Sequence, residues 1–207
     1  MDNNTERLYL YPAWIRIWHM TNALFCLILI ITGLSIQFSN PTLVVKFKTA
    51  VALHNIAGIL LTCSYIVFFV GNLFTKNGAC YVIELKGFVL RLMTQFRYYT
   101  FGIFRNEHPP FPVTSEVKFN PLQQFSYVVL MYLLVPLSIL SGFGLLYPNI
   151  TVNSVMGASG LDLTDLLHLC AGFLITVFMC IHVYFCTIGK TPTSNFKSMI
   201  DGYHDSH

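Results

Sequence analysis

The sequence predicts an all-α integral membrane protein, a four-transmembrane-helix bundle with a cytoplasmic interfacial segment between its second and third helices. Three observations carry that prediction. The chain of 207 residues is 55% hydrophobic and only 10% charged, where soluble domains carry roughly 25% charge. Its charges are clustered, leaving four apolar stretches that meet the length of about 20 residues a spanning helix needs. In hydrocarbon every backbone amide must find an internal partner, so such stretches are helical.

The first stretch runs from about Trp14 to Ile36 and is free of charge after Arg16. The second runs from about Ala50 to Leu73, the third from about Leu122 to Leu146, and the fourth from about Leu166 to Thr187. Pro148, Asn149, Asn153, Gly157 and Gly160 punctuate the chain between the last two, which marks a turn and two separate spans. The first stretch differs from a secretory signal. Asp2 and Glu6 stand beside Arg7, no small-residue cleavage site follows, and the apolar run exceeds the usual length of about 7–15 residues. The chain is therefore expected to keep it and to form one domain, 1–207.

Between the second and third spans, Tyr81 to Phe104 mixes Ile83, Leu85, Phe88, Leu92 and Phe96 with Lys86, Arg91 and Arg97. That is too charged to span and suits an amphipathic helix lying in the interface. Pro109, Pro110 and Pro112 then favour an extended run into the third span.

Lys and Arg accumulate on the cytoplasmic side of membrane proteins. Ten of the twelve fall in the N-terminus (Arg7, Arg16), the long middle connection (Lys76, Lys86, Arg91, Arg97, Arg105, Lys118) and the tail (Lys190, Lys197). Lys46 and Lys48 alone occupy the other side. Both termini are thus expected in the cytoplasm, and the net charge of +3 reads as anchoring, with no nucleic-acid partner. The six cysteines form neither a C-x-x-C pair nor a C-x-x-C-H attachment site. Most of them read as small packing residues.

Four of the seven histidines, His19, His54, His168 and His182, fall inside the spans, where ionisable groups are rare and usually functional. His168 and His182 are 14 residues apart on one span, which is about 21 Å along a helix and nearly the same face. His19 lies near the cytoplasmic end of the first span, level with His182, and His54 near the outer end of the second, level with His168. Two opposed imidazoles at each of two depths suit haem iron, which takes axial ligands on both sides of its ring. Zinc gathers about four ligands at one point, and these histidines do not. Gly33, Gly58, Gly142, Gly144 and Gly172 lie in these spans, where close approach of backbone suits a macrocycle, although helix packing in lipid also enriches small residues.

The run Arg16-Ile17-Trp18-His19-Met20-Thr21-Asn22-Ala23, closing on Thr32-Gly33, resembles the first-helix motif of the b-type cytochrome subunits of formate dehydrogenase, nickel-iron hydrogenase and thiosulfate reductase. The run from His54 through Gly58 and the paired histidines of the fourth span fit the same family. The resemblance is strongest to the thiosulfate-reductase-like membrane anchors, on Arg91 through Pro112 and on Lys118-Phe119-Asn120-Pro121-Leu122-Gln123-Gln124. Met20 departs from the Trp often found after the first-helix histidine.

The resemblance implies a diheme, quinone-reactive subunit of the bacterial inner (cytoplasmic) membrane, carrying two haem b and exchanging electrons with menaquinone or ubiquinone. It places the quinone by the cytoplasmic haem near the start of the third span. Asn120, Gln123 and Gln124 lie there, and their amides can hydrogen-bond a quinone carbonyl. Interfacial water would satisfy the same groups. Arg16, one turn before His19 on the same face, is either a haem-propionate partner or a cytoplasmic anchor. Glu107, His108 and Glu116 are candidate proton carriers.

The sequence has no iron–sulfur cysteine series and no nucleotide-binding glycine motif, so substrate chemistry is expected in another chain, best an outward-facing iron–sulfur or multihaem subunit. Two other classes compete. A partner-free transmembrane ferric or disulfide reductase would use the same haems, but the eukaryotic type places two histidines on each of two helices. A transporter would show polar groups along a midplane path and broken helices, and these spans contain few.

Overall fold

The computed structural model describes residues 7–38, 45–115, 117–189 and 191–205. In chain order its regular elements are strand β1 (Arg7–Tyr9), helices α1 (Ala13–Phe38), α2 (Phe47–Phe74), α3 (Phe88–Arg97), α4 (Pro121–Val129) and α5 (Val135–Leu146), strands β2 (Ser154–Val155) and β3 (Ala158–Ser159), helices α6 (Gly160–Cys186) and α7 (Ser194–Asp201), and strand β4 (Tyr203–Asp205). Short 3-10 and π turns join several of them.

Four helices among the described residues are long and apolar enough to cross a membrane: α1, α2, Pro121–Leu146 and α6. The third of these is α4 and α5 joined by a π turn at Leu130–Leu134. Pro136 stands two residues past the end of that turn. Its ring nitrogen has no hydrogen to give the preceding turn, and the wider turn accommodates the break. On α1, Ile17, Met20, Leu24, Leu27, Ile31 and Leu34 are all exposed. Steps of three and four residues put them on one face, and a large apolar face of this kind suits lipid as the surrounding solvent.

The spans agree with the sequence reading except at one boundary. α6 starts at Gly160, ahead of the expected Leu166, because Asp162 and Asp165 stop a hydropathy count but not a helix. Acidic residues in the first turns favour a helix N-terminus. Gly160 itself is obligatory, since a Cβ there would lie 1.6 Å from the Val152 carbonyl oxygen. The turn ahead of it is a hairpin of β2 and β3, closed by Met156 and Gly157 with φ of 51° and 86°, the positive pair a tight hairpin demands.

Contacts divide the chain into two compact units: residues 1–16, 71–130 and 182–207 form the first, and residues 17–70 and 131–181 the second. In the second, the Trp18 indole N–H donates to the Ser64 carbonyl at 3.0 Å and its ring stacks on Phe68 with centres 4.4 Å apart. Phe68 and Ala50 are fully buried, and Ala57, Leu61, Met131, Val135 and Ala171 join them in this core.

The first unit ties together distant parts of the sequence. β1 pairs antiparallel with β4, Leu8 facing His204. Arg7 bridges to Asp201 at 2.8 Å and lies over the Tyr203 ring. The N–H groups of Leu10 and Tyr11 both donate to the Gly202 carbonyl, at 3.0 and 3.2 Å. The expected amphipathic helix between the second and third spans forms as α3, with Val89, Leu90, Met93 and Phe96 exposed. Arg91 holds its start through the Glu84 carboxylate at 3.0 Å and the Lys86 carbonyl at 2.7 Å.

Candidate functional site

A hydroxyl inside an apolar helix usually donates back to the carbonyl four residues earlier. Ser35, Thr62 and Thr176 do this, to Ile31, Gly58 and Gly172 at 2.9, 2.8 and 2.8 Å. Thr32 and Ser141 do it too, to Ile28 at 2.6 Å and Leu137 at 2.7 Å. These two also reach a histidine. The Thr32 oxygen lies 2.9 Å from His54 Nδ1, and the Ser141 oxygen 3.0 Å from His168 Nδ1.

Those bonds fix where the ring hydrogens sit. His168 Nδ1 also lies 3.1 Å from the Ser138 carbonyl, and a carbonyl only accepts, so Nδ1 carries the hydrogen. At His54 the Thr32 hydroxyl hydrogen is committed to Ile28, so Nδ1 donates there as well. Each imidazole is therefore left with a bare Nε2 lone pair. This is the arrangement of metal-binding histidines, whose second ring N–H is held by a carbonyl or other acceptor.

The two rings lie together in the second unit, with centres 6.2 Å apart and planes inclined by 76°. An imidazole nitrogen sits about 2.0 Å from a bound metal, so an iron taken from both sides would hold two ring centres about 6 Å apart. Among the described residues no three His, Cys, Asp or Glu side chains gather around one point. His54 and His168 thus offer two facing donors, a set that would fit a metal held in a macrocycle, which would supply the remaining ligands.

The glycines fit the same group. A Cβ on Gly33 would lie 3.4 Å from the His54 ring and one on Gly142 3.1 Å from the His168 ring, so both positions let helix backbone back directly onto an imidazole. Gly58 and Gly172 follow the two histidines by one turn. In the direction of a Cβ the first meets only Leu29, at 4.0 Å, and the second meets nothing within 4 Å. Each leaves a cradle beside its imidazole that any larger residue would fill. Gly144 has a different task, packing against Thr164 and Thr151 at 3.0 and 3.2 Å.

The other expected site residues lie as follows. His182, in the first unit, has the Tyr127 ring 6.0 Å away and edge-on, and the Cys186 sulfur 3.8 Å from its Nε2. His19, half-buried on α1, belongs to the second unit. The pairing of His19 with His182 therefore rests on the sequence. Arg16 donates to the Ile200 carbonyl oxygen near the end of α7, while its Nε is buried beside Gly202 with no partner among the described residues.

Asn120, Gln123 and Gln124 all have structural work. Asn120 caps α4: its side chain accepts from the Gln123 N–H at 3.0 Å, and Gln123 returns the bond to the Asn120 N–H at 3.2 Å. The Asn120 amide also donates to the Tyr99 hydroxyl at 2.7 Å. Gln124 gives its amide nitrogen to the Cys80 and Val82 carbonyls, both at 3.0 Å, which uses both of its N–H donors. Glu107 pairs with Arg97 at 2.6 Å, His108 is exposed, and Glu116 lies outside the described residues.

Sequence reasoning missed Ser138 and Ser141 altogether, and it placed Thr32 in a motif without assigning it a task. Its only available signal was a hydroxyl residue immediately before a glycine in an apolar span, Thr32-Gly33 and Ser141-Gly142.

Comparison with known proteins converges on the same chemistry. Over 199 residues the chain is 40% identical to the Escherichia coli (strain K12) protein named "Putative cytochrome YdhU", a match covering 96% of this chain and 75% of that one. The pattern of the prokaryotic cytochrome b561 family matches residues 10–202, a range that holds all four span histidines. This membrane chain, with its preset imidazole pair, belongs to the prokaryotic cytochrome b561 family, whose members bind haem b.

Proposed function

We propose that the chain is a diheme, quinone-reactive membrane subunit that carries electrons across the bilayer between menaquinone or ubiquinone and an outward-facing iron–sulfur or multihaem subunit of the same complex. The observation that carries the proposal is the imidazole pair. His54 and His168 have their Nδ1 hydrogens held by Thr32 and by Ser138 with Ser141, and their Nε2 lone pairs left for iron. Haem b bound there supplies a one-electron redox centre in a dry, apolar setting. The chain's own residues orient the ligands and exclude water.

A second haem is assigned to His19 and His182. Its support is the 14-residue spacing of His168 and His182 and the family, whose members typically bind two haems. The buried Nε of Arg16 supports a propionate as its acceptor. Quinone exchange near the start of α4 rests on Asn120 and Gln123, because the Gln124 donors are already committed. The likeness to the thiosulfate-reductase-like anchors supports an outward-facing partner and the bacterial inner membrane, with both termini cytoplasmic.

The test is cofactor content followed by kinetics. Purified full-length protein should give two noncovalent haem b per chain in a pyridine haemochrome assay, and one or none refutes the diheme reading. His54→Ala and His182→Ala should remove different haems. In stopped-flow, a quinol analogue should reduce wild-type haem and reduce the Asn120→Leu/Gln123→Leu variant more slowly at equal haem content. Unchanged kinetics would move quinone exchange elsewhere and favour the partner-free reductase.

A further inference from the structure

The first unit contains a cavity of about 560 Å³ where the apolar spans give way to polar chain. Its apolar side is Pro12 and the Trp14 indole, at the start of α1, and its polar side includes Thr75 and Lys76, just past the end of α2, with Ser115 and Lys118 ahead of α4. The volume suits a small molecule or a lipid headgroup. Trp14 is pinned in place, since a Cβ on Gly71 would lie 2.8 Å from its ring. An indole at this level is typical of a membrane–water boundary.

Among the described residues the cavity's charge is one-sided. Lys76 and Lys118 are among its lining residues and no described acidic residue is, and among the described residues neither lysine pairs with a carboxylate. Lys118 is half-buried, so an anion is the natural complement to this pair. The Thr75 hydroxyl accepts from the Asn77 N–H at 3.3 Å, which leaves its own hydrogen to give, and Ser115 offers a second hydroxyl. Two cations and two hydroxyl donors match a phosphate. A quinone ring, which is neutral, needs no such charge. α1 begins at Ala13 and α2 ends at Phe74, both long and apolar enough to cross a membrane, so Pro12, Trp14, Thr75 and Lys76 mark span ends, the level at which bilayer phosphates are expected.

From this juxtaposition we propose that the cavity is a binding site for the phosphate headgroup of an anionic phospholipid, held by Lys76 and Lys118. This is independent of the haem and quinone assignments. Basic pockets between membrane helices select anionic lipids by the same charge complementarity.

The test is native mass spectrometry of the detergent-solubilised full chain, titrated with an equimolar mixture of dioleoyl phosphatidylglycerol and dioleoyl phosphatidylcholine. Wild type should retain the phosphatidylglycerol preferentially. Lys76→Gln and Lys118→Gln should each lower that preference by about fivefold, while Lys76→Arg/Lys118→Arg should keep it. Lys48→Gln/Lys197→Gln, which removes two exposed charges elsewhere, should also leave it intact. No preference in wild type, or an equal preference in the Lys76→Gln/Lys118→Gln pair, overturns the proposal. Should that pair fail to fold, the single variants set against the arginine pair decide in the same way. A separate arm adds glycerol phosphate. Retention of glycerol phosphate in place of the lipid would make the site one for soluble phosphate and overturn the lipid assignment.

Discussion

Replacing Thr32 with valine keeps a β-branched side chain of nearly the same shape and removes one hydroxyl. That hydroxyl is buried and accepts from His54 Nδ1 at 2.9 Å. A neutral hydrogen bond contributes about 0.5–1.5 kcal/mol net, and a buried donor left unpaired costs about 1–3 kcal/mol. Where these two ranges meet, the loss is about 1 kcal/mol. The redox consequence has a definite sign. An acceptor on Nδ1–H pushes electron density toward Nε2 and favours the oxidised, more positive iron, so losing it should raise the midpoint potential. For a one-electron couple a tenfold change in equilibrium is 59 mV. Even if the whole of about 1 kcal/mol acted on the oxidised state alone, the shift would be about 40 mV. The expected result is a rise of roughly 20–40 mV in the potential of the haem assigned to His54 and His168. A spectroelectrochemical titration reads it, with haem content checked in parallel and the two haems distinguished through the His182→Ala variant. An unchanged potential with both haems present, or a shift confined to the other haem, would refute the role given to Thr32.

Ser141→Ala should shift the same haem by less, because the Ser138 carbonyl still accepts from His168 at 3.1 Å; the same titration checks it. Asn120→Ala removes the cap of α4 and should cost about 1 kcal/mol of stability, read as a lower denaturation midpoint. A reporter fused after His207 should be cytoplasmic and one inserted near Asn153 external, and reversed signals would exchange the inner and outer haems. Asp201 is held below the ordinary carboxyl range by a bond from the Tyr203 N–H and by Arg7. The stabilisation it lends the β1–β4 pairing is present above the unfolded carboxyl value and is lost as pH falls through the depressed folded one. Amide exchange at Leu8 and Tyr9 should accelerate on acidification relative to other strand amides, and Asp201→Asn should remove that dependence.

The parts of the structure legible in sequence are those set by composition and period. Lipid demands runs of apolar residues and histidine is conspicuous among them, so the four spans and the His54–His168 pair could be read directly. Thr32 and Ser141 carry only a following glycine as a signal, and nothing in one sequence says that this step marks a histidine acceptor while Ser35, Thr62 and Thr176, which also bond back to their own helices, do not. Only the approach of a second helix makes two of these hydroxyls into histidine acceptors. The Asn120–Gln123 pair carried a legible signal of another kind. A capping residue followed three places later by Gln, before an apolar run, marks a helix start, and the structure realises that bond pair. The β1–β4 pairing joins Arg7–Tyr9 to Tyr203–Asp205 across almost the whole chain, and three-residue strands leave no local pattern to find.

The same hydrogen bonds explain how a redox centre can sit in spans almost free of charge. An imidazole in hydrocarbon has one N–H that must be satisfied. An acidic partner would meet that need, but it would also bring a titrating carboxylate into the bilayer. Thr32, Ser138 and Ser141 meet it with neutral oxygens already anchored to their own helices, so haem held by His54 and His168, as proposed, would need no carboxylate to orient its ligands. Between Arg16 and the end of α1, between Lys48 and the end of α2, and between Asp165 and the end of α6, the sequence holds no Asp, Glu, Lys or Arg. Electron transfer through haem held there, as proposed, would need no charged side chain within these stretches. Quinol oxidation coupled to it, as proposed, would release its protons at the ends of the helices, where the charged residues of this chain are concentrated.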